Sequence, residues 1–312
     1  MTVANPKSLT ATNLAPKRKR LISKEALAWW MFCTPAFLLI IGLAIYPLAN
    51  TINLSFHRFN LAHGNPMEFI GFGNYARLVQ DPRFLNSMWV TFKYTAVSVS
   101  ITMVVGFAMA LLLNQGGAII RIVRGVSLMP MLIAGVALSV AWMLMYNPNF
   151  GVFNMILSGL GLPVQNWLGD PSITIWAMIL IEIWQFTPFV MILSLAGFQS
   201  ISPEYYEAAY IDGASRFNTL RHITLPLMRN ILLTILIIRI IDTFRVFEKP
   251  RILTNGGPLR TTETINLLVF TTAFEQWDFG FGSAGSVFIA VVIAILTAGI
   301  LMIVKVNRSQ EQ

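Results

Sequence analysis

Six apolar runs, each near or above 20 residues, dictate what this chain can become: Ala26 to about Leu54, then 88–113, 122–145, 172–198, 230–250 and 283–305. At about 1.5 Å of rise per residue, roughly 20 residues cross a hydrocarbon layer about 30 Å thick, so each run predicts one membrane-spanning helix. Composition agrees, since 55% of the 312 residues are apolar, 12% are charged and mean hydropathy is +0.66. That is too apolar for a soluble globular chain of this length. The expected fold class is an all-α polytopic membrane protein with six transmembrane helices. Pro35, Pro47, Pro130 and Pro188 lie within or at the ends of runs, which predicts kinks there. The first run is too long for a cleaved secretory leader, so it reads as a retained helix behind a basic tail.

That tail, residues 1–25, carries Lys7, Lys17, Arg18, Lys19, Arg20 and Lys24. Residues 26–312 then form one transmembrane domain with a polar loop at 200–229. Lysine and arginine decide the orientation: thirteen lie on the side of the two termini and that loop, seven on the other. The positive-inside rule puts both termini and the 200–229 loop in the cytoplasm. The formal charge of +8 therefore reports orientation rather than nucleic-acid binding, and the tail also suits anionic membrane lipid. Cys33 stands alone, and His57, His63 and His222 lack ligand spacing, so neither a disulfide within the chain nor a metal site is expected.

Between the fourth and fifth runs stands a polar island, Glu204 to Pro226. Pro203 suits a first helical position, Glu204 and Glu207 favour a first turn, and Ala208 and Ala209 are strong helix formers. Asp212 and Gly213 then supply a turn, and Ser215 is placed to cap a second short helix running toward His222. The paired alanines and the glycine predict a face nearly free of side chains, on which another protein can approach the backbone.

The order Glu207-Ala208-Ala209, then Gly213, then Ile223-Thr224-Leu225-Pro226 resembles the cytoplasmic loop of ABC importer membrane subunits. From about residue 30 to 305 the chain is similar to the larger membrane subunit of binding-protein-dependent carbohydrate importers of the maltose and glycerol-phosphate kind, with a type I, MetI-like architecture. The resemblance implies that Glu204, Glu207, Ala208, Ala209, Asp212 and Gly213 couple the chain to an ATPase. It further implies a second, related permease subunit, two ATP-binding subunits that hold ATP and Mg, a soluble solute-binding protein delivering a sugar-like substrate to the outer loops, and a bacterial inner membrane.

Four ionisable residues interrupt the spans: Glu182 in the fourth run, and Arg239, Asp242 and Arg245 in the fifth. A charge at mid-bilayer costs about 2.5–3.5 kcal/mol on insertion scales, so such residues face the bundle interior or a wet cavity. Asp242 is three residues from each arginine, which predicts one charge-balanced stripe. With Trp184, Phe244 and Phe247, the stripe reads either as the lining of a path for a polar solute or as glue between helices. The sequence leaves both open.

No Gly-Lys-Ser or Gly-Lys-Thr occurs, so the chain is expected neither to bind nor to hydrolyse ATP, and to carry no cofactor of its own. The stretch from Gly280 to Gly285 matches a dinucleotide fingerprint in spacing only, and reads as small residues for close helix packing. Neither Gly-x-Ser-x-Gly nor His-Glu-x-x-His appears, which argues against a membrane-embedded enzyme. Two rival readings stand: an importer for a non-sugar polar solute, and a secondary transporter using Glu182 and Asp242 as ion sites.

Overall fold

The computed structural model describes residues 24–64 and 66–308, so the basic tail lies almost wholly outside the described residues. The chain divides into two compact units, one ending at Asn50 and one beginning at Thr51. In the first, α1 (Lys24–Ile40) passes through a π turn (Ile41–Ile45) into α2 (Tyr46–Ser55), whose residues from Thr51 onward belong to the second. Just before Pro47, which has no N–H to donate, the Tyr46 N–H bonds the Ile41 carbonyl, five residues back, and widens the turn. From Trp29 to Asn50 every side chain is exposed, which suits a helix whose solvent is lipid.

The second unit opens on a small hairpin, β1 (His57–Arg58) antiparallel to β2 (Glu68–Phe69), with His57 opposite Phe69 and Arg58 opposite Glu68. After α3 (Gly73–Gln80), α4 (Pro82–Leu113) forms the next span. Asp81 caps it, accepting the Arg83 N–H at 2.8 Å, and Pro82 fills the first position, where an N–H has no intrahelical partner. Small residues mark its buried face: Ser87, Thr91, Thr95, Ser98, Thr102 and Gly106 recur every three or four positions. They let α9 (Thr174–Gln199) come close, since a Cβ on Gly106 would stand 2.6 Å from the Val190 Cβ.

The run at 122–145 does not make the expected single helix. One arm comprises α5 (Ala118–Ser127) and α6 (Met129–Leu132), the other is α7 (Gly135–Met145), and they meet at 94°. Pro130 cannot donate a helix bond, and Ile133 and Ala134 leave the helical region, both with ψ near 130° (130° and 133°). The Gln185 side-chain amide on α9 reaches the Ile133 carbonyl at the break. Among the described residues five helices are thus long and apolar enough to cross a membrane, and the bent pair supplies a sixth crossing if counted as one span.

Beyond the bend come α8 (Val152–Gly159) and then α9, which leads to α10 (Pro203–Ile211) and α11 (Arg216–Thr219). The second short helix is not separate from the fifth span. It runs through a π turn (Leu220–Thr224) into α12 (Leu225–Phe244), so helix continues well before the expected start near 230. The chain closes with α13 (Glu248–Leu253), α14 (Ile265–Phe270), a π turn (Thr271–Glu275) and α15 (Phe279–Arg308). Close packing explains the glycines opening α15: a Cβ would lie 2.2 Å from the His57 carbonyl oxygen at Gly280 and 2.8 Å from the Ala273 Cβ at Gly282. Ion pairs Arg77–Asp278 (2.9 Å), Arg83–Glu263 (2.6 Å) and Arg251–Glu275 (2.8 Å) staple the loops at the end of the bundle where α4 begins.

Candidate functional site

Two polar regions stand out, and α9 and α12 carry both. The first is the loop joining them. α10 begins with Pro203 at its first position and Glu204 in its first turn, where a carboxylate meets unpaired N–H groups. It ends in a Schellman turn: the Gly213 N–H donates to the Tyr210 carbonyl (3.1 Å) and the Ala214 N–H to the Ala209 carbonyl (2.9 Å). Gly213 sits at φ +70° with nothing within 4 Å of where a Cβ would be, so backbone conformation alone demands glycine. Ser215 caps α11 by accepting the Asn218 N–H at 3.2 Å.

Of the six residues assigned to coupling, Glu204, Glu207, Ala208, Asp212 and Gly213 are exposed. Ala209 is not. It is 6% exposed and faces the protein, because adjacent helical residues point about 100° apart and two neighbouring alanines cannot share one face. The outward surface instead carries Tyr210 at 86% and Ile211 at 83% exposure. Sequence reasoning passed over both, although large apolar side chains in an exposed turn are themselves a sign of a protein contact.

The second region is a charge cluster, which helix rise places roughly 25 Å along α9 from the loop. Glu182, 2% exposed, accepts from Arg239 on α12 and from Lys249 on α13, each at 2.5 Å. Its Oε2 also accepts the Tyr94 hydroxyl from α4 at 3.0 Å, so one carboxylate ties four helices together. Arg239 is 1% exposed and donates to Asp242 (2.7 Å) and to the Thr243 hydroxyl (3.0 Å), three and four residues along its own helix. Its Nε has no hydrogen-bond partner among the described residues, but the guanidinium lies 4.0 Å above the centre of the Phe186 ring. Two cations and two carboxylates thus neutralise one another, the condition under which buried charge persists.

Beside the cluster lies a cavity of about 300 Å³ lined by Glu182, Phe186, Asp242, Thr243, Arg245, Val246, Glu248 and Lys249. The expected stripe is therefore only partly formed. Arg239 and Asp242 pair, but α12 ends at Phe244, so Arg245 has left the helix and stands exposed at the cavity. Phe244 is 1% exposed and packs with Leu78, Phe84 and Ile265, away from the cavity. Trp184, two residues from Glu182, projects from the opposite side of α9 against Trp142, at 5.5 Å between ring centres. Lys249, Tyr94, Phe186 and Glu248 went unforeseen. Lys249 falls at the expected end of the fifth span, where a lysine usually marks a loop. Here it is 5% exposed.

A polytopic helical bundle with an exposed helix–turn–helix loop and a polar cavity between its spans suits a membrane permease component. A model of the family described as "Binding-protein-dependent transport system inner membrane component" matches residues 102–309. The chain belongs to this family: it is a multi-pass inner-membrane permease component of an ABC importer. It is 36% identical over 296 residues to the trehalose/maltose transport system permease protein of Thermococcus litoralis, covering 95% of this chain and 98% of that one. With the sulfoquinovosyl glycerol transport system permease protein of Agrobacterium fabrum it shares 32% identity over 277 residues, 88% of this chain and 89% of that protein. Its fold matches a chain in the crystal structure of a bacterial ABC transporter involved in the import of the acidic polysaccharide alginate. The TM-score is 0.79 at 24% identity, over 90% of this chain and 96% of the other.

Proposed function

We propose that the chain carries a sugar or sugar derivative through the membrane as one half of a permease pair. A second, related permease completes the pathway, and two ATP-binding subunits hold ATP and Mg, while this chain contributes no ATPase site. A soluble binding protein delivers the solute to the outer loops. The 200–229 loop and both termini face the cytoplasm. The similarity to trehalose/maltose and sulfoquinovosyl glycerol permeases over nearly the whole chain supports the sugar.

The observation that carries the mechanism is that the exposed α10–α11 turn joins the two helices bearing the charge cluster. Glu204, Glu207, Ala208, Asp212 and Gly213 offer the docking face, and Ala209 holds that face to the bundle. When the ATP-binding subunits close, α9 and α12 move as levers, because a helix transmits displacement along its length. The cavity beside Glu182 then changes its access. Asp242, Glu248 and the Phe186 ring suit sugar hydroxyls and an apolar ring face respectively.

Purification of the tagged chain in mild detergent tests this reading. Recovery of a second permease and an ATPase with a phosphate-binding loop, together with ATP-dependent sugar uptake after reconstitution, is the expected result. A chain that emerges alone and moves solute down an ion gradient without ATP would replace the importer with a secondary transporter.

A further inference from the structure

The charges at the cavity beside Glu182 bear on which solutes it admits. Three carboxylates, Glu182, Asp242 and Glu248, stand in or against it with three cations, Arg239, Arg245 and Lys249. The formal total is zero, but the six are not equally accessible. Glu182, Arg239 and Lys249 are buried and neutralise one another within the chain. What a solute meets is the remainder. Asp242 has a side chain 55% exposed, and Glu248 and Arg245 are exposed and without an ion pair among the described residues.

The fold places these three groups together. α12 ends at Phe244, so the chain leaves the helix at Arg245, with Asp242 three residues before it and Glu248 three residues after, and all three line the cavity. α13 lays Glu248 against the start of α7, since a Cβ on Gly135 would stand 3.8 Å from the Glu248 carboxyl carbon. The first N–H groups of α7 have no side-chain cap, and a carboxylate is favoured at a helix N-terminus. That positive helix end therefore already has its anion. Among the described residues that line the cavity, Arg245 is the one exposed cation, and it shares the lining with two exposed carboxylates.

We infer that the cavity selects its solute by charge: it takes an uncharged sugar and disfavours a uronate or sulfonate of the same size, with Asp242, Arg245 and Glu248 as the specificity-determining residues. The inference rests on the sugar reading and names the charge class of its substrate. A neutral sugar brings hydroxyls that donate to the two carboxylates and accept from the guanidinium, while the Phe186 ring covers an apolar ring face. An anionic sugar gains Arg245 but meets two like charges, so repulsion outweighs attraction.

The test is equilibrium dialysis of the assembled importer in nanodiscs, without its binding protein, so that only the membrane site is read. Glucose, maltose and trehalose are each paired with the same sugar bearing a carboxylate in place of one hydroxymethyl group. The neutral member is expected to bind about fivefold more tightly at low salt, the size of one partly screened charge interaction, and the gap should narrow at high salt. Glu248→Gln is expected to lower this preference and Arg245→Gln to raise it, whereas a merely structural role would shift both members of a pair alike. Uronates that bind as tightly as their neutral partners, or variants that shift the preference in one direction, overturn charge selection and leave the sugar reading intact. If no pair binds while ATP-driven uptake of a neutral sugar proceeds, the cavity is not the sugar site and the inference falls with it. A complete importer whose binding protein delivers only a solute that is not a sugar refutes the sugar reading itself.

Discussion

The charge cluster and the coupling loop hang on the same two helices but handle polarity in opposite ways. In the cluster, Glu182 accepts from Arg239, Lys249 and Tyr94 within the chain, and Glu182, Arg239 and Lys249 are all nearly inaccessible. In the loop, Glu204, Glu207 and Asp212 are exposed, and the described residues give them no ion pair. Tyr210 and Ile211 stand beside them, large and uncovered. Groups satisfied internally hold helices in register, whereas groups left open are available to another molecule. The difference separates what keeps this chain folded from what is left open to other molecules.

The comparison breaks most readily at Glu182. Glu182→Leu leaves Arg239 and Lys249 buried without their shared carboxylate, at a cost of about 3–5 kcal/mol. Thermal unfolding of the detergent-solubilised protein should show a large fall in midpoint, and a variant as stable as wild type would show that water reaches the cluster freely. Tyr94→Phe removes one hydroxyl donor to the same carboxylate, so a smaller loss of about 1.5–3 kcal/mol is expected in the same assay. Gly213→Val places a β-branched residue at φ +70°, costing about 1–2 kcal/mol at an exposed turn. Its effect on stability should be modest, while its effect on coupling should be severe, the reverse of Tyr94→Phe.

The smallest effect belongs to Asp170, which lies in the loop before α9 and is partly exposed. Its carboxylate accepts the Ser172 hydroxyl (2.7 Å) and N–H (2.8 Å), and these bonds hold the carboxyl below its usual range. A depressed folded value means that the contribution is present above the ordinary carboxylate range and is lost as pH falls through the folded value. Asp170→Asn should therefore flatten a slight acid-side slope in stability, visible by comparing unfolding midpoints near neutrality and in mild acid.

How much of this was legible in the sequence depends on what each residue's neighbours could reveal. Glu182, Arg239 and Asp242 announced themselves, because a charge in an apolar run has few places to go. Lys249 did not, because burial of a lysine at the end of a span depends on the short helix α13 folding back, which no local pattern marks. Pro130 signalled a disturbance in the third span, but a 94° bend also required Ile133 and Ala134 to turn extended against α9. The motif marked the exposed α10–α11 loop, yet only helix rotation decides that Ala208 looks out and Ala209 looks in. Spacing reveals which residues belong together. It does not reveal which way a two-residue step has turned.

The most direct test of the central claim is ATP-driven sugar uptake by proteoliposomes holding the assembled importer with wild-type or Gly213→Val chain, alongside the unfolding midpoint of each complex. The account predicts that uptake collapses while the midpoint moves little, because the turn serves the partner rather than the fold. Uptake at the wild-type rate would contradict it, and the loop would then be an ordinary connector between α9 and α12.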